Sequence, residues 1–139
     1  GYDKDLKPYE VEKNNTSNAA DNLMTTIEDY GKFLVAVTNG ELFPESVFKE
    51  MATPQIASER GKHFGLGFEI YNLENGEYAL SHGGADVGVR TLVFILPKTK
   101  QGLLIFTNSD VGGNLYGALV KHYLGKNGEK IIDIEIMKR

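Results

Sequence analysis

Residues 78–84 read Tyr-Ala-Leu-Ser-His-Gly-Gly, and this stretch, together with the two that follow it, decides the fold. Its first residues alternate as in a strand, and the two glycines come directly after the histidine. Val89–Leu96 and Gly102–Asn108 are apolar and rich in β-branched residues, with a short polar turn between them. Strands separated by short turns predict an antiparallel meander, and residues 81–84 lie at its head.

The sheet extends upstream, and helices are predicted on both sides of it. Phe64–Tyr71 is predicted as a further strand that opens with glycines. A helix is predicted between Thr26, whose hydroxyl suits an N-cap, and Asn39-Gly40, which ends the apolar periodicity. A short helix follows Pro44, and another spans Gly113–Gly125, where the last glycine stops it. This order predicts an α+β fold: an antiparallel β-sheet meander flanked by helices.

The 139 residues suffice for one domain, with a less regular segment at each end. Residues 1–20 are predicted as a polar extended segment, and residues 126–139 as a tail that is either a strand or a linker. Within the tail, Lys130–Lys138 alternates isoleucine with polar residues, which is a strand pattern. We expect the face formed by Ile132, Ile134 and Ile136 to cover exposed apolar surface in its own chain or a neighbour's.

Composition narrows the classes of function. The 19 acidic residues outnumber the 15 basic ones and give a net charge of −4, which argues against nucleic-acid binding. The sequence has no cysteine, which excludes disulfides and thiolate chemistry. The three histidines have no ligand spacing and the paired glycines form no phosphate loop, so we predict neither a metal nor a cofactor. No apolar run approaches the roughly 20 residues needed to span a bilayer, and the compartment stays open.

The order of five motifs resembles the C-terminal half of the serine β-lactamase-like family. That family includes class C β-lactamases, DD-peptidases, and related esterases and penicillin-binding proteins. The resemblance covers roughly residues 18–125, and it makes residues 21–125 the C-terminal part of a β-lactamase-like domain. Asp21 departs from the pattern, because the family usually has glycine there. In chain order the motifs are Asn-Leu-Met-Thr-Thr-Ile-Glu-Asp-Tyr at 22–30, Met-Ala-Thr-Pro at 51–54, Phe-Gly-Leu-Gly-Phe at 64–68, His-Gly-Gly at 82–84 and Leu-Ile-Phe-Thr-Asn at 104–108.

The resemblance implies roles for four residues at the head of the meander. Family members carry a Ser-x-x-Lys nucleophile motif, a Tyr-x-Asn or Ser-x-Asn motif, and a third motif, Lys-Thr-Gly or His-x-Gly, that closes the site. His82-Gly83-Gly84 resembles the third motif. His82 is then catalytic, Gly83 and Gly84 let substrate lie along the strand, and the backbone N–H of Ala85 is an oxyanion donor. The alternative interpretation is a surface histidine followed by a glycine turn.

The nucleophile is not expected in this chain. Ser46-Val47-Phe48-Lys49 fits Ser-x-x-Lys, but we interpret it as a chance match, since the family has a peripheral helix there. Neither Tyr-x-Asn nor Ser-x-Asn occurs anywhere in the sequence. The resemblance therefore implies the C-terminal fragment of a serine hydrolase that acts through an acyl-enzyme, with the nucleophile in an N-terminal half of the same protein. We expect the fragment alone to be inactive.

The same resemblance implies a class of substrate for the parent protein and a possible self-association of this chain. The parent would act on a small ester, peptide or β-lactam-like substrate, and its family is often exported. Strands of the N-terminal half cover the strand Leu103–Thr107 in the family, so its edge is expected to be bare here and prone to self-association. The alternative function is a non-catalytic module that binds peptides or cell-wall fragments along the strand edge.

Overall fold

The sheet is a single antiparallel meander whose six strands pair in chain order. The computed structural model describes residues 1–10, 16–20 and 23–137, so Asp21 lies outside the described residues. The predicted α+β architecture is confirmed. The strands are β1 (Ile56–Ala57), β2 (His63–Phe64), β3 (Glu69–Asn72), β4 (Tyr78–Asp86), β5 (Val89–Leu96) and β6 (Gln101–Thr107).

The predicted strand Phe64–Tyr71 is in fact a hairpin. Its first residue ends β2 and its last residues lie in β3, with a tight turn between them. The N–H of Gly65 donates to the carbonyl of Phe68 over 2.8 Å. Gly67 closes the turn with φ at 83°, a conformation that favours glycine. The glycines that look like a strand opening in the sequence therefore reverse the chain.

Within the described part of the chain, three α-helices accompany the sheet: α1 (Ile27–Asn39), α2 (Glu45–Met51) and α3 (Tyr116–Ile136). The predicted caps of α1 are confirmed. The Thr26 hydroxyl accepts from the N–H of Asp29, and Gly40 ends the helix in the left-handed conformation. Among the described residues, no helix is both long and apolar enough to cross a bilayer.

The helices cover opposite faces of the sheet and create two apolar cores. Successive side chains of a strand point to opposite faces, so the continuous apolar run in β5 serves both cores. The core under α1 contains Leu34, Val37, Ile70, Leu80, Val93 and Ile95. The core under α3 contains Tyr71, Ala79, Phe94, Leu96, Val120, Leu124, Ile131 and Ile134.

The prediction for residues 126–139 is wrong: residues 126–136 are helical and neither a strand nor a linker. They continue α3 beyond a kink at Gly125, where φ is 55° and ψ is −130°. The predicted stop at Gly125 is therefore a bend. Of the three isoleucines predicted to form a covering face, Ile134 is buried and Ile132 packs partly buried beside it, whereas Ile136 is 70% exposed. The other buried isoleucine is Ile131, three residues before Ile134, which is a helical spacing. The tail does cover apolar surface of its own chain, but with a helical face.

The start of the chain also differs from an extended segment. Residues 1–10 turn back on themselves, with an antiparallel bridge between Tyr2 and Pro8. They dock on the end of the sheet through two hydrogen bonds of Tyr2, each 2.9 Å long. The N–H of Tyr2 donates to the carbonyl of Asn108, and the carbonyl of Tyr2 accepts from the N–H of Asp110. This loop thereby extends the edge of the sheet just beyond β6.

Gly125→Ala is expected to lower the free energy of unfolding by about 1–3 kcal/mol, since a side chain strains this backbone conformation. The matched control is Gly31→Ala in the interior of α1, where a methyl group meets nothing within 4 Å. That change should raise stability by about 0.5–1 kcal/mol. Denaturant unfolding of the two variants checks the opposite signs. Equal effects at both positions would contradict a special backbone at Gly125.

Candidate active site

The site predicted at residues 82–85 lies where β4 loses one of its two neighbours. β3 accompanies β4 from Asn72 opposite Tyr78 only as far as Glu69 opposite Ser81. On the other side, β5 continues to Asp86. The second half of β4 therefore has an open edge, which faces the β2–β3 hairpin across a cavity of about 420 Å³. We call this cavity the β4 slot. It is lined by Phe64, Gly67, Phe68, Glu69, Ser81, His82 and Gly83.

The backbone groups that face the slot follow from the register. The carbonyl of Glu77 accepts from Leu73 across the β3–β4 turn, so the backbone of Glu77 faces β3. In an antiparallel ladder every second residue directs its N–H and C=O to the same side. Counting onward from Glu77, the backbones of Gly83 and Ala85 face the open edge. The N–H of Ala85 is therefore a free donor at the open edge, and its role as an oxyanion donor stays a prediction.

The structure accounts differently for the presence of glycine at positions 83 and 84. Gly84 pairs with Thr91 of β5, and a Cβ there would lie 2.5 Å from the Thr91 Oγ1. Packing against β5 thus accounts for Gly84. A Cβ at Gly83 would have its nearest contact at 3.7 Å, which is an ordinary distance. The fold accommodates a side chain at Gly83, so its absence leaves room beside the slot. Substrate contact by either glycine stays a prediction.

His82 is exposed at the slot and lies opposite Val93 of β5. Among the described residues it has no hydrogen-bond or ion-pair partner, so its ring is available to a ligand. The other histidines lie elsewhere: His63 on β2, and His122 exposed on α3 beside Tyr123. No group of three side chains suited to a metal occurs within the described part of the chain.

Asp110 holds the turn that ends β4. Its Oδ1 accepts from the N–H of Gly88 over 2.9 Å, and its Oδ2 accepts from the Tyr9 hydroxyl over 2.7 Å. These two hydrogen bonds lower the pKa of the Asp110 carboxyl, and the Arg90 guanidinium 3.4 Å away acts in the same direction. Arg90 also donates to the carbonyls of Asp86 and Val89. The loop of residues 1–10 is thereby tied to the far end of the slot.

A cluster of charges lies behind the slot, on the face covered by α3. Lys62, whose side chain is only 8% exposed, contacts Glu69 at 3.0 Å and Glu135 at 2.7 Å. The Tyr71 hydroxyl lies 2.5 Å from Glu135 and 3.2 Å from Glu69. Arg60 pairs with the other oxygen of Glu135 at 2.9 Å. Because Glu69 borders the slot, this cluster ties the tail of α3 to the slot's edge.

The cluster shifts two ionisation equilibria. Burial, aided by the hydrogen bond and charge of Glu135, raises the pKa of the Tyr71 hydroxyl far above its usual value, so the phenol stays protonated. Burial alone would raise the pKa of Glu135. Hydrogen bonds from Lys62 and Tyr71 and the nearby positive charges outweigh burial and lower it.

Sequence reasoning missed the cluster and the aromatic wall of the slot. Lys62, Glu69 and Glu135 are far apart in sequence, and no periodicity links them. Phe64 and Phe68 belong to a motif that carried the resemblance, but nothing in the sequence assigns them to a site. Ser46 and Lys49 lie on α2, and neither lines the slot.

Comparisons with known proteins concern the family and the fold of the chain. A family model described as Beta-lactamase matches residues 1–122. A penicillin binding protein from Bacillus halodurans is 24% identical with a TM-score of 0.55, and the match covers 63% of this chain and 27% of that one. The octameric penicillin-binding protein homologue from Pyrococcus abyssi is 23% identical with a TM-score of 0.60, and the match covers 76% of this chain and 26% of that one. Both likenesses, under 25% identical, concern the fold alone.

A D-stereospecific amidohydrolase from Streptomyces sp. is 27% identical with a TM-score of 0.53, and the match covers 78% of this chain and 29% of that one. No curated protein sequence matches the chain. The chain thus spans between 26% and 29% of the length of these three structures.

Proposed function

Because this chain belongs to the β-lactamase family, we propose that it forms one wall of the active site of a serine hydrolase that acts through an acyl-enzyme. The open edge of β4 is the observation that carries the proposal. The free backbone groups of Gly83 and Ala85 meet the unpartnered ring of His82 there, beside a cavity of about 420 Å³. A surface histidine followed by a glycine turn would need neither the open edge nor the cavity.

Each residue of this wall has a chemical task in the proposal. Acyl transfer needs an activated hydroxyl, a base, and donors aimed at the oxyanion that develops on the scissile carbonyl. The N–H of Ala85 supplies one such donor. Gly83 and Gly84 let the substrate approach the strand, with Gly83 as the direct backbone contact. His82 replaces the family's lysine and faces the reacting groups. No step of the proposed reaction requires a metal or an organic cofactor.

The remaining groups are proposed to come from an N-terminal half of the same protein. β6 supports this division, because one of its edges is unpaired. The carbonyl of Asn108 accepts from Tyr2 outside the sheet, so by alternation the backbones of Gly102, Leu104 and Phe106 also face outward. Strands of the N-terminal half would pair there, and in their absence two copies of the chain could associate through this edge. The proposed substrate is a small ester, peptide or β-lactam.

A second candidate function is a non-catalytic module that binds peptides or cell-wall fragments along β4. One observation favours it: the Ser-x-x-Lys match in this sequence, Ser46 to Lys49, lies on α2 away from the slot. The sequence of the full-length gene product would separate the two functions. A Ser-x-x-Lys on a helix followed by Tyr-x-Asn favours the enzyme.

Ala85→Pro tests the oxyanion role in the full-length hydrolase that the proposal requires. Proline removes the N–H at a position whose N–H does not pair with β5, so the sheet should persist. Losing one oxyanion donor should lower kcat about 10²–10³-fold, or about 3–4 kcal/mol. Steady-state kinetics with an activated ester measure this effect.

The matched control is Ala85→Ser, which keeps the N–H and should keep kcat within a few-fold of the natural protein. Thermal unfolding of both variants verifies that the fold is retained. A folded Ala85→Pro variant with unchanged kcat would overturn the oxyanion assignment. Equal losses in both variants would point to the side-chain position and away from the N–H.

A further inference from the structure

Resting on the proposed function, we infer the substrate class of the β4 slot: a neutral, extended acyl or peptide group that places an aromatic or other apolar side chain against Phe64. A ligand that carries a free carboxylate beside the strand is disfavoured. The charges around the slot, its aromatic wall and the spacing of its free backbone groups lead independently to this inference.

The charges around the slot disfavour an anionic ligand. Neither lysine nor arginine lines the slot within the described residues. The charged side chain of the lining is Glu69, and Asp86 stands at the far end of the open edge. Since Glu69 is already paired with Lys62, a ligand carboxylate would lose hydration there without gaining a cation from the described lining, whereas a neutral group incurs no such cost.

Two cations lie nearby, but both are already engaged. Lys62 contacts Glu69 and Glu135 at 3.0 Å and 2.7 Å, and its side chain is almost wholly buried. Arg90 lies directly opposite Ala85 in the register. Its guanidinium is held by Asp110 at 3.4 Å and by the carbonyls of Asp86 and Val89. Binding a ligand carboxylate would require breaking one of these arrangements.

The wall opposite β4 is apolar and favours an apolar ligand group. Phe64 is 47% exposed, and Leu66 at the tip of the hairpin is 48% exposed. Phe68 completes the aromatic side of the slot. Contact with an apolar ligand group removes this surface from water, which favours binding.

The free backbone groups of β4 favour an extended ligand. Gly83 and Ala85 present N–H and C=O groups two residues apart, the repeat of an extended chain. A ligand amide in the slot takes the place that a continuation of β3 would occupy, antiparallel to β4. Because Gly83 has no side chain, that ligand can approach closely. The slot therefore suits an extended amide or ester.

The experiment compares two probes that differ in one group. The ¹⁵N-labelled 139-residue chain is titrated with N-acetylphenylalanine amide and, separately, with N-acetylphenylalanine, whose carboxylate is ionised. The backbone signals of Gly83 and Ala85 are followed by NMR at pH 8. We expect these signals to shift with the amide, and the acid to bind about tenfold or more weakly.

Phe64→Arg and its matched control Phe64→Leu supply the second arm. The arginine introduces a cation at an exposed wall position and should reverse the preference toward the acid, whereas leucine should retain the preference for the amide. Equal affinities for the two probes in the unmodified chain would overturn this inference and leave the proposed wall standing. If neither probe shifts the slot signals, the proposed function fails along with the inference.

Discussion

The 139-residue chain on its own is expected to hydrolyse a chromogenic cephalosporin and an activated short-chain ester no faster than buffer does. It supplies the N–H of Ala85 and the ring of His82, but in our proposal the serine, its lysine and the tyrosine belong to another segment. These groups act as a unit, and loss of the nucleophile alone lowers kcat by about six orders of magnitude. Absorbance assays and intact mass spectrometry measure turnover and any covalent adduct.

Ser46 is the residue on which this first prediction can fail. It is exposed on α2 and one helical turn from Lys49, as a Ser-x-x-Lys motif requires. A stoichiometric acyl adduct that maps to Ser46 and disappears in Ser46→Ala would show that the motif is functional. Slow modification that persists in Ser46→Ala would instead reflect non-specific acylation and leave the prediction standing.

Lys62→Met is expected to cost about 3 kcal/mol of stability, because it leaves Glu69 and Glu135 without their shared cation in a largely buried site. This is the lower end for a broken buried pair, since the two carboxylates keep 21% and 32% of their side-chain surface exposed. The tail of α3 should loosen first, as Glu135 joins it to the sheet. Urea unfolding at pH 7, with hydrogen exchange over residues 126–136, measures both effects.

The effect of Lys62→Met on stability is expected to depend on pH. The pKa of Glu135 is lowered in the folded state, so its contribution is present above the unfolded carboxyl pKa of about 4.3. That contribution is lost as the pH falls through the lower folded value. The gap between the natural chain and Lys62→Met should therefore narrow in acid. Lys121→Met, an exposed lysine on α3, is the control and should change stability little. An equal loss in the control would contradict a special role for Lys62.

Much of the fold could be predicted from local patterns, and its errors have a physical cause. The Thr26 cap, the Gly40 stop and the β5 and β6 strands each rest on neighbouring residues, and all are observed. The prediction for residues 126–139 was wrong because their closely spaced isoleucines fit a strand period and a helical period equally well. Burial of Ile131 and Ile134 against the sheet decided between them. That contact is long-range and leaves no trace in the local sequence.

The candidate site divides in the same way. The motif at residues 82–84 led to the open edge of β4, because a histidine and two glycines after a strand are a local signal. Which backbone groups are free depends on where β3 stops, and that is set by pairing between distant residues. The aromatic wall and the Lys62 cluster were likewise invisible, since their members meet only in three dimensions.

Gly83 and Gly84 are adjacent and chemically identical, yet the fold tolerates a side chain more readily at position 83 than at position 84. A Cβ at Gly84 would lie 2.5 Å from the Thr91 Oγ1, so a side chain there requires Thr91 to shift and is expected to cost stability. A Cβ at Gly83 meets only ordinary contacts, so in our proposal the ligand sets which side chains that position tolerates. A lineage could therefore alter its substrate range at residue 83 while retaining its thermal stability. The same separation makes residue 83 the natural place to engineer selectivity.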